Sequence, residues 1–182
     1  KASDSSVFDH EMPGGQYTNL MFQSQQLGLG SQWSEIKHAY MEANMLCGDI
    51  VKVTPSSKVV GDLAQFMVAN KLSARDVEEH ASTLDFPVSV VEFFQGFLGT
   101  PPGGFPEPLR THIIRNKERV DTRRGASLPP LDFDKIKSDL TVKYRRPMSE
   151  CDAVSWAMYP KVFEEFQACL LYTSPSPRDK RQ

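Results

Sequence analysis

One segment, residues 49–70, restricts the fold of this chain more than any other. Its sequence is DIVKVTPSSKVVGDLAQFMVAN, and the alternating β-branched residues at its start predict a short strand over residues 49–54. Pro55 ends that strand because proline has no N–H group for a sheet ladder, and Ser56 or Ser57 can cap the first turn of a helix. We therefore expect a strand that runs directly into a helix.

Apolar residues repeat at helical spacing on both sides of this strand. A helix is predicted within residues 31–49, ending at Gly48, and a second one follows the strand, whereas residues 12–30 are interpreted as loop, short helix and loop. The repeating residues are Trp33, Ile36, Tyr40, Ala43 and Cys47 before the strand, and Val60, Leu63, Ala64 and Met67 after it. The order helix, strand, helix is typical of an α/β fold with a parallel sheet, which we assign to residues 1–72.

Strand patterns end near residue 72, and residues 73–168 are predicted to be all-helical, with helices joined by loops and no strands. Ser73 and Asp76 have the spacing of a capping box, with aspartate in place of the usual Glu or Gln. Ser149 and Asp152 stand at the start of SECDAVSWAMYPKVFEEFQ, which we interpret as one helix. Further helices are predicted in VSVVEFFQGFLG and DFDKIKSDLTVKY, and loops in TPPGGFPEPLR and TRRGASLPPLDF.

The two ends of the chain differ in character from its middle. Residues 169–182, CLLYTSPSPRDKRQ, change abruptly to Ser, Pro and basic residues and resemble the in-frame translation of a transposase sequencing adapter. We interpret them as a non-native tail, with a natural disordered tail as the alternative. The chain starts without methionine, and we expect the natural protein to extend beyond both of its ends.

The composition argues against several classes of function. With 182 residues, a net charge of -2 and 40% apolar residues, the chain suits one domain or part of a larger one, and no nucleic-acid partner is expected. No apolar run approaches the roughly 20 residues that cross a bilayer, so no membrane partner is expected either. Three scattered cysteines fit a reducing compartment. The histidines, His10, His38, His80 and His112, are isolated, so we expect surface or helix-flank positions rather than a metal site.

Four polar residues remain as candidates for a site, since no phosphate-binding glycine motif and no G-x-S-x-G motif occurs. Thr54 follows the predicted strand, and its hydroxyl can donate and accept a hydrogen bond and so pass on a proton. Lys58 can bind a ligand oxygen as a point charge, although the helix dipole disfavours a cation in a first turn. Ser57 lies between them, and Gln16 follows two glycines that can expose its amide. Helix capping and packing are the structural alternative for these residues.

Five longer runs resemble the carboxyltransferase region of the pyruvate carboxylase family, in the same order. They are EMPGGQYTNLMFQ, EANMLCGDIVKVTPSSKVVGDLAQFMV, SVVEFFQG, GGFPEPLR and GASLPPLD, and the resemblance covers nearly all of residues 3–168. It implies that residues 1–72 are the C-terminal portion of a TIM (β/α)8 barrel and that residues 73–168 form an all-helical funnel over the barrel mouth. The implied reaction transfers a carboxyl group from carboxybiotin to pyruvate, giving oxaloacetate.

The resemblance also implies a role for each candidate residue. Thr54 would relay a proton between the pyruvate methyl group and the biotin ureido nitrogen, while Gln16, Ser57 and Lys58 would line the biotin pocket. Oxaloacetate decarboxylase and transcarboxylase relatives typically have a Gly-Gly-Met loop and a Thr-Pro-Thr-Ser-Gln turn, so Gln16 and the TPSSK turn favour pyruvate carboxylase over these alternatives. Met21 departs from the family pattern, in which a polar or basic residue is frequent.

Much of the implied enzyme lies outside this chain. Biotin would arrive on a biotinyl carrier domain, and a divalent metal (Mn or Zn) and ATP would serve only the full-length enzyme, with no metal ligand in this part. The family acts on pyruvate and oxaloacetate, forms homotetramers and lies inside the cell, in the mitochondrial matrix or the cytoplasm. We expect the chain alone to be inactive. A non-catalytic helical interaction module is the alternative outside the enzymes.

Overall fold

The computed structural model describes residues 5–173, in which helices are joined by turns and loops. The helices are α1 (Val7–His10), α2 (Gly14–Gln26), α3 (Trp33–Leu46), α4 (Ser56–Ala69), α5 (Ala74–His80), α6 (Val88–Gln95), α7 (Leu109–Ile114), α8 (Arg124–Ser127), α9 (Phe133–Tyr144), α10 (Glu150–Met158) and α11 (Pro160–Thr173), with a 3-10 turn at Gly30–Gln32. Within these residues there is no β-strand, and no helix is long and apolar enough to cross a membrane.

Helices α3 and α4 form the centre of the first of two compact units, Lys1–Leu128. Their facing sides carry the apolar residues predicted from the sequence, including Ile36 and Tyr40 on α3 and Leu63 and Met67 on α4, which are fully buried. Gly48 follows α3 with a φ of 93°, a left-handed conformation that glycine adopts without steric cost. The two predicted amphipathic helices are therefore confirmed.

Helix α6 connects this centre to the rest of the unit, because it packs against both α4 and α7. Phe93 and Phe94 on α6 contact the ring of Phe105 at centroid distances of 5.3 and 6.1 Å. The buried Arg110 guanidinium lies over Phe105, and its Nε donates a hydrogen bond to the Phe94 carbonyl oxygen at 2.7 Å. These contacts hold α6, and with it the side of α6 that faces α4, in a defined position.

The strand predicted over residues 49–54 is not formed. Residues 51–53 have no regular secondary structure, and the Val53 N–H donates to the Val51 carbonyl oxygen at 3.1 Å, a contact between residues two apart that a strand does not contain. A strand needs a neighbouring strand to pair its backbone groups, and residues 5–173 supply none. The side chains of Val51 and Val53 are 72% and 61% exposed, as expected for a strand sequence without its sheet.

The second compact unit, Pro129–Gln182, contains α9, α10 and α11 around a small core of Leu140, Met148 and Phe163. The single helix predicted from Ser149 onward is wrong, since α10 and α11 are separated at Tyr159. Proline at position 160 explains the break, because it has no N–H group and disfavours helical geometry in the residue before it.

Neither residue 72 nor residue 169, the two predicted boundaries, coincides with a division between the compact units. The first compact unit continues through residue 72, so the predicted change at that point is not a boundary between units of this structure. Of the predicted non-native tail, residues 169–173 belong to α11, and residues 174–182 lie outside the described part of the chain.

Candidate functional site

The turn before α4 is held by Ser56. Its hydroxyl contacts the carbonyl oxygens of Val51 and Val53 at 2.6 and 2.5 Å, and its oxygen also accepts a hydrogen bond from the Val53 N–H at 3.3 Å. Neither Ser56 nor Ser57 caps the helix: Pro55 occupies the cap position, and α4 begins without a side-chain cap. The capping prediction was therefore wrong, because the Ser56 hydroxyl bonds to the preceding segment instead of the first turn.

Thr54 lies in this turn, immediately before Pro55, and its side chain is exposed. Its position at the entrance of α4 agrees with the predicted order along the chain, although the preceding residues are irregular and not a strand. The backbone around it is fixed on the other side by the Ser57 N–H, which donates to the Val53 carbonyl oxygen at 3.1 Å. A threonine hydroxyl here is open to a ligand and held by a short, hydrogen-bonded segment.

Lys58 is exposed and lies one helical turn before Asp62, with which it forms an ion pair. The same Asp62 oxygen, Oδ2, accepts a hydrogen bond from the Ser89 hydroxyl of α6 at 2.5 Å. Asp62 is the more enclosed partner, with a side chain 18% exposed against 58% for Lys58. The ammonium group of Lys58 is thus tied to α6 through one carboxylate.

Gln16 reaches α4 at Gly61. A Cβ atom at Gly61 would lie 2.6 Å from Nε2 of Gln16 and 3.1 Å from Cδ1 of Leu20, so only glycine leaves room for both side chains at this crossing of α2 and α4. Ser57, which is buried, lies one turn before Gly61 on the same face of α4. The structure therefore brings the Gln16 amide next to the part of α4 that carries Ser57.

The predicted residues divide between two neighbouring faces of α4. Ser57 and Gly61 share the face that meets Gln16, while Lys58 and Asp62, each one residue further along, share the next face. Thr54 precedes both faces in the turn. The amide, two hydroxyls and ammonium of the four candidates lie at or beside the start of one helix, with Thr54 and Lys58 exposed and Ser57 buried.

Three residues of this region were missed by the sequence interpretation: Gly61, Asp62 and Ser89. The spacing of Lys58 and Asp62 four residues apart was a usable signal for their ion pair. A glycine inside an apolar helix was a signal of close packing for Gly61. Ser89 carried no local signal, because it is 27 residues from Asp62 and reaches it only through the packing of α6 on α4.

Two observations concern ionisable groups elsewhere in the described part of the chain. Among residues 5–173 no group of three or more His, Cys, Asp or Glu side chains could hold a metal ion. Burial raises the pKa of the Cys47 thiol to about 12, and burial together with the nearby Cys47 raises the pKa of the Tyr40 hydroxyl to about 12. Both groups are neutral near pH 7, so Cys47 is a packing residue and not an activated nucleophile.

His10 corrects one expectation, since its side chain is buried and not at the surface. Its Nδ1 accepts a hydrogen bond from the Met12 N–H at 2.9 Å, and its ring lies 5.8 Å from that of Tyr17. A histidine that accepts a backbone hydrogen bond can be buried at little cost, and nothing in its sequence neighbourhood indicated this partner.

Comparison with known proteins gives a consistent result over almost the whole chain. A family model described as a conserved carboxylase domain matches residues 7–176. The chain is 62% identical over 168 residues to a pyruvate carboxylase of Pichia angusta, a match that covers 92% of this chain and 14% of that protein. The chain thus spans about one seventh of the length of this curated relative.

Two solved structures show the same similarity in three dimensions. A complete multifunctional pyruvate carboxylase from Rhizobium etli matches with a TM-score of 0.90 and 42% identity, over 96% of this chain and 17% of that one. The carboxyltransferase domain of the Rhizobium etli enzyme, solved with oxamate and biotin, matches with a TM-score of 0.86 and 42% identity, over 96% of this chain and 30% of that domain chain.

Proposed function

This chain belongs to the conserved carboxylase domain family, and on that premise we propose that it forms part of the carboxyltransferase site of a pyruvate carboxylase. The whole enzyme would transfer a carboxyl group from carboxybiotin to pyruvate and release oxaloacetate. The observation that carries the proposal is the arrangement of Gln16, Ser57 and Lys58 around the first turns of α4, directly behind Thr54. The similarity to a carboxyltransferase domain solved with biotin supports it.

In the complete enzyme, residues 1–72 would be the end of a (β/α)8 barrel and residues 73–168 the helical funnel segment. Residues 49–54, with Val51 and Val53 exposed here, would then pair with neighbouring barrel strands that residues 5–173 do not contain. Thr54 would lie at the carboxyl end of that strand, which is the end where barrel enzymes place their reactive groups. By itself the chain would be inactive.

The residues present suit a biotin ring. Its ureido group has N–H donors and one carbonyl acceptor, and Gln16 offers both an amide N–H and an amide oxygen. Lys58 and Ser57 add an ammonium and a hydroxyl that can contact the carbonyl oxygen. Because Gly61 has no side chain, the Gln16 amide lies close to α4, and there it would contact the edge of the biotin ring. Carboxybiotin, when bound, supplies carbon dioxide for the reaction.

Thr54 would move the proton. Its hydroxyl oxygen accepts a proton from the pyruvate methyl group while its own proton passes to the ureido nitrogen, so the side chain ends the step in its starting form. A hydroxyl suits this relay because it donates and accepts in the same position. The hydrogen bonds of Ser56 and Ser57, which reach back across Pro55 to Val51 and Val53, keep the turn that carries Thr54 in place.

The remaining components belong to the complete enzyme as we propose it. A divalent metal and ATP would be bound outside this chain, biotin would be carried by a separate carrier domain, and the enzyme would be a tetramer inside the cell.

The proposal is tested by Thr54→Ala in the complete enzyme that contains this segment. We expect pyruvate carboxylation to fall about 100-fold or more, the usual contribution of a proton-transfer group, while bicarbonate-dependent ATP cleavage continues. Thr54→Ser is the matched control, because it retains the hydroxyl and should retain most of the activity. Carboxylation by Thr54→Ala at the rate of the unaltered enzyme would contradict the relay.

A further inference from the structure

We infer that Asp62 and Ser89 are positioning residues for Lys58, and that the helical segment thereby controls the biotin pocket through α6. This inference rests on the proposed function, because it assigns a purpose to the Lys58 ammonium. Asp62 and Ser89 would not touch the ligand themselves. They would determine where the ammonium group of Lys58 stands when biotin enters.

The contacts form a chain of three side chains on two helices. Lys58 forms an ion pair with Asp62 one turn further along α4, and the Ser89 hydroxyl donates to the same Asp62 oxygen at 2.5 Å. Since Ser89 belongs to α6, the direction of the Asp62 carboxylate depends on how α6 packs on α4. The carboxylate is therefore fixed from outside its own helix.

A comparison within the same molecule distinguishes this arrangement from an ordinary surface ion pair. Arg75 and Glu79 on α5 have the same spacing, with the base first and the acid four residues later. Their side chains are 84% and 50% exposed, whereas Asp62 is 18% exposed and has a second, fixed partner. Exposed ion pairs such as Arg75–Glu79 contribute little to stability, because solvent screens the charges and both side chains remain mobile.

The position of Lys58 in the helix explains why its ammonium group needs a fixed negative partner. It lies in the first turn of α4, where the positive end of the helix dipole repels a cation, and α4 has no acidic residue in that turn to offset this effect. Asp62 provides the compensating negative charge from the next turn. Without it, the flexible four-carbon side chain of Lys58 would sample many positions away from the pocket.

The experiment measures the reverse half-reaction of the complete enzyme, the transfer of a carboxyl group from oxaloacetate to added free biotin. Ser89→Ala should raise the KM for biotin about threefold to tenfold, with kcat changed less than about twofold, since positioning acts on binding. Asp62→Asn should have at least the same effect. Ser89→Thr, which keeps the hydroxyl, should restore the KM of the unaltered enzyme.

A double substitution tests whether the effect passes through Lys58. Lys58→Gln should itself raise the KM for biotin, and Asp62→Asn added to Lys58→Gln should raise it no further, because the ammonium that Asp62 positions is gone. Glu79→Gln, in the exposed pair of the same spacing, is the matched control and should leave both constants unchanged. An additive effect of Asp62→Asn in the Lys58→Gln background would overturn the inference.

The inference and the proposed function can fail separately. If Thr54→Ala abolishes carboxylation while Ser89→Ala and Asp62→Asn leave the KM for biotin unchanged, the inference is wrong and the proposed function stands. A lowered unfolding temperature of these variants with an unchanged KM would equally overturn it, since that result assigns the contact to stability alone. If Thr54→Ala has no effect on carboxylation, the proposed function is contradicted.

Discussion

Helices α4 and α10 begin in opposite ways. At α10 the Ser149 N–H donates to Asp152 Oδ2 at 2.8 Å and the Asp152 N–H donates to Ser149 Oγ at 3.1 Å, which completes a capping box with two acidic residues in the first turn. At α4 the cap position is proline, no side chain caps the turn, and a lysine stands where α10 has acids. The start of α10 has a side-chain cap and first-turn acids that suit its dipole, and the start of α4 has neither.

The start of α10 is stabilised by its own side chains, whereas the side chains at the start of α4 contact other segments. A capping box lowers the free energy of the helix but occupies the serine and the acid that form it. In α4 no such box forms, and the polar side chains have other partners: Lys58 pairs with Asp62, and the Ser56 hydroxyl holds the turn of Thr54. Ser57 lies one turn before Gly61, on the face that meets Gln16. Less favourable local energetics at a site are a common consequence of function, and the start of α4 carries Ser57 and Lys58, two of the three residues proposed to contact biotin.

The largest effect on stability is expected from removing the capping box at the start of α10. Ser149→Ala removes both the acceptor for the Asp152 N–H and a donor to its carboxylate, and should destabilise α10 by about 1 kcal/mol. Hydrogen exchange of the first-turn amides of α10 measures this effect. Ser57→Ala, a serine at an uncapped start, is the comparison and should leave the exchange of the first-turn amides of α4 nearly unchanged. An equal loss of exchange protection at α10 and at α4 would contradict the proposed difference between the two helix starts.

A smaller effect on stability but a clear effect on the site is expected from Gly61→Ala. Alanine favours the helix by about 1 kcal/mol, which offsets the crowding of Leu20, but its Cβ requires the Gln16 amide to move away. The KM for free biotin in the complete enzyme should therefore rise several-fold while the unfolding temperature changes little. Gly125→Ala, at a glycine with no atom within 4 Å of the new Cβ, is the control. An unchanged KM would show that Gln16 does not need this position.

The smallest effect is a difference in pH dependence. Hydrogen bonds from Ser149 and Ser73 hold the pKa of Asp152 and of Asp76 below the ordinary aspartate range. A carboxyl group whose pKa is lower in the folded state stabilises that state above the unfolded-state pKa of about 4, and this contribution is lost as the pH falls further. The unfolding temperature should thus fall between pH 6 and pH 2.5. This fall should be smaller in the double variant Ser73→Ala/Ser149→Ala, which lacks the hydrogen bonds that lower the two pKa values. The start of α4, without an acid in its first turn, should not contribute to this loss.

Much of the local structure followed from sequence patterns. The capping box predicted at Ser73 and Asp76 formed, and the buried faces of α3 and α4 are those that the apolar repeat predicted. Ser149 and Asp152, which have the same spacing, form a second capping box. These features depend on residues three or four positions apart, whose contact is decided by helix geometry alone. The same locality explains why the Pro160 break could have been found, since proline acts on its immediate neighbours.

Features that depend on distant partners were not predictable in this way. The strand at residues 49–54 required neighbouring strands that residues 5–173 do not supply, and the burial of His10 required the ring of Tyr17 on the next helix. The Ser89 contact with Asp62 required α6 to pack on α4. In each case the local pattern was compatible with more than one environment.

The sequence alone determined the amphipathic helices α3 and α4, the capping box at Ser73 and the chemical identity of the four candidate residues, because these depend on side-chain type and short spacing. It also carried the long runs whose resemblance points to a carboxylase. Only the tertiary structure decided that Gln16 lies against Gly61, that Lys58 is tied to α6, and that residues 49–54 remain without a sheet. These outcomes were settled by packing, because a hydrogen bond or close contact between segments exists only where the folded chain brings its two partners together.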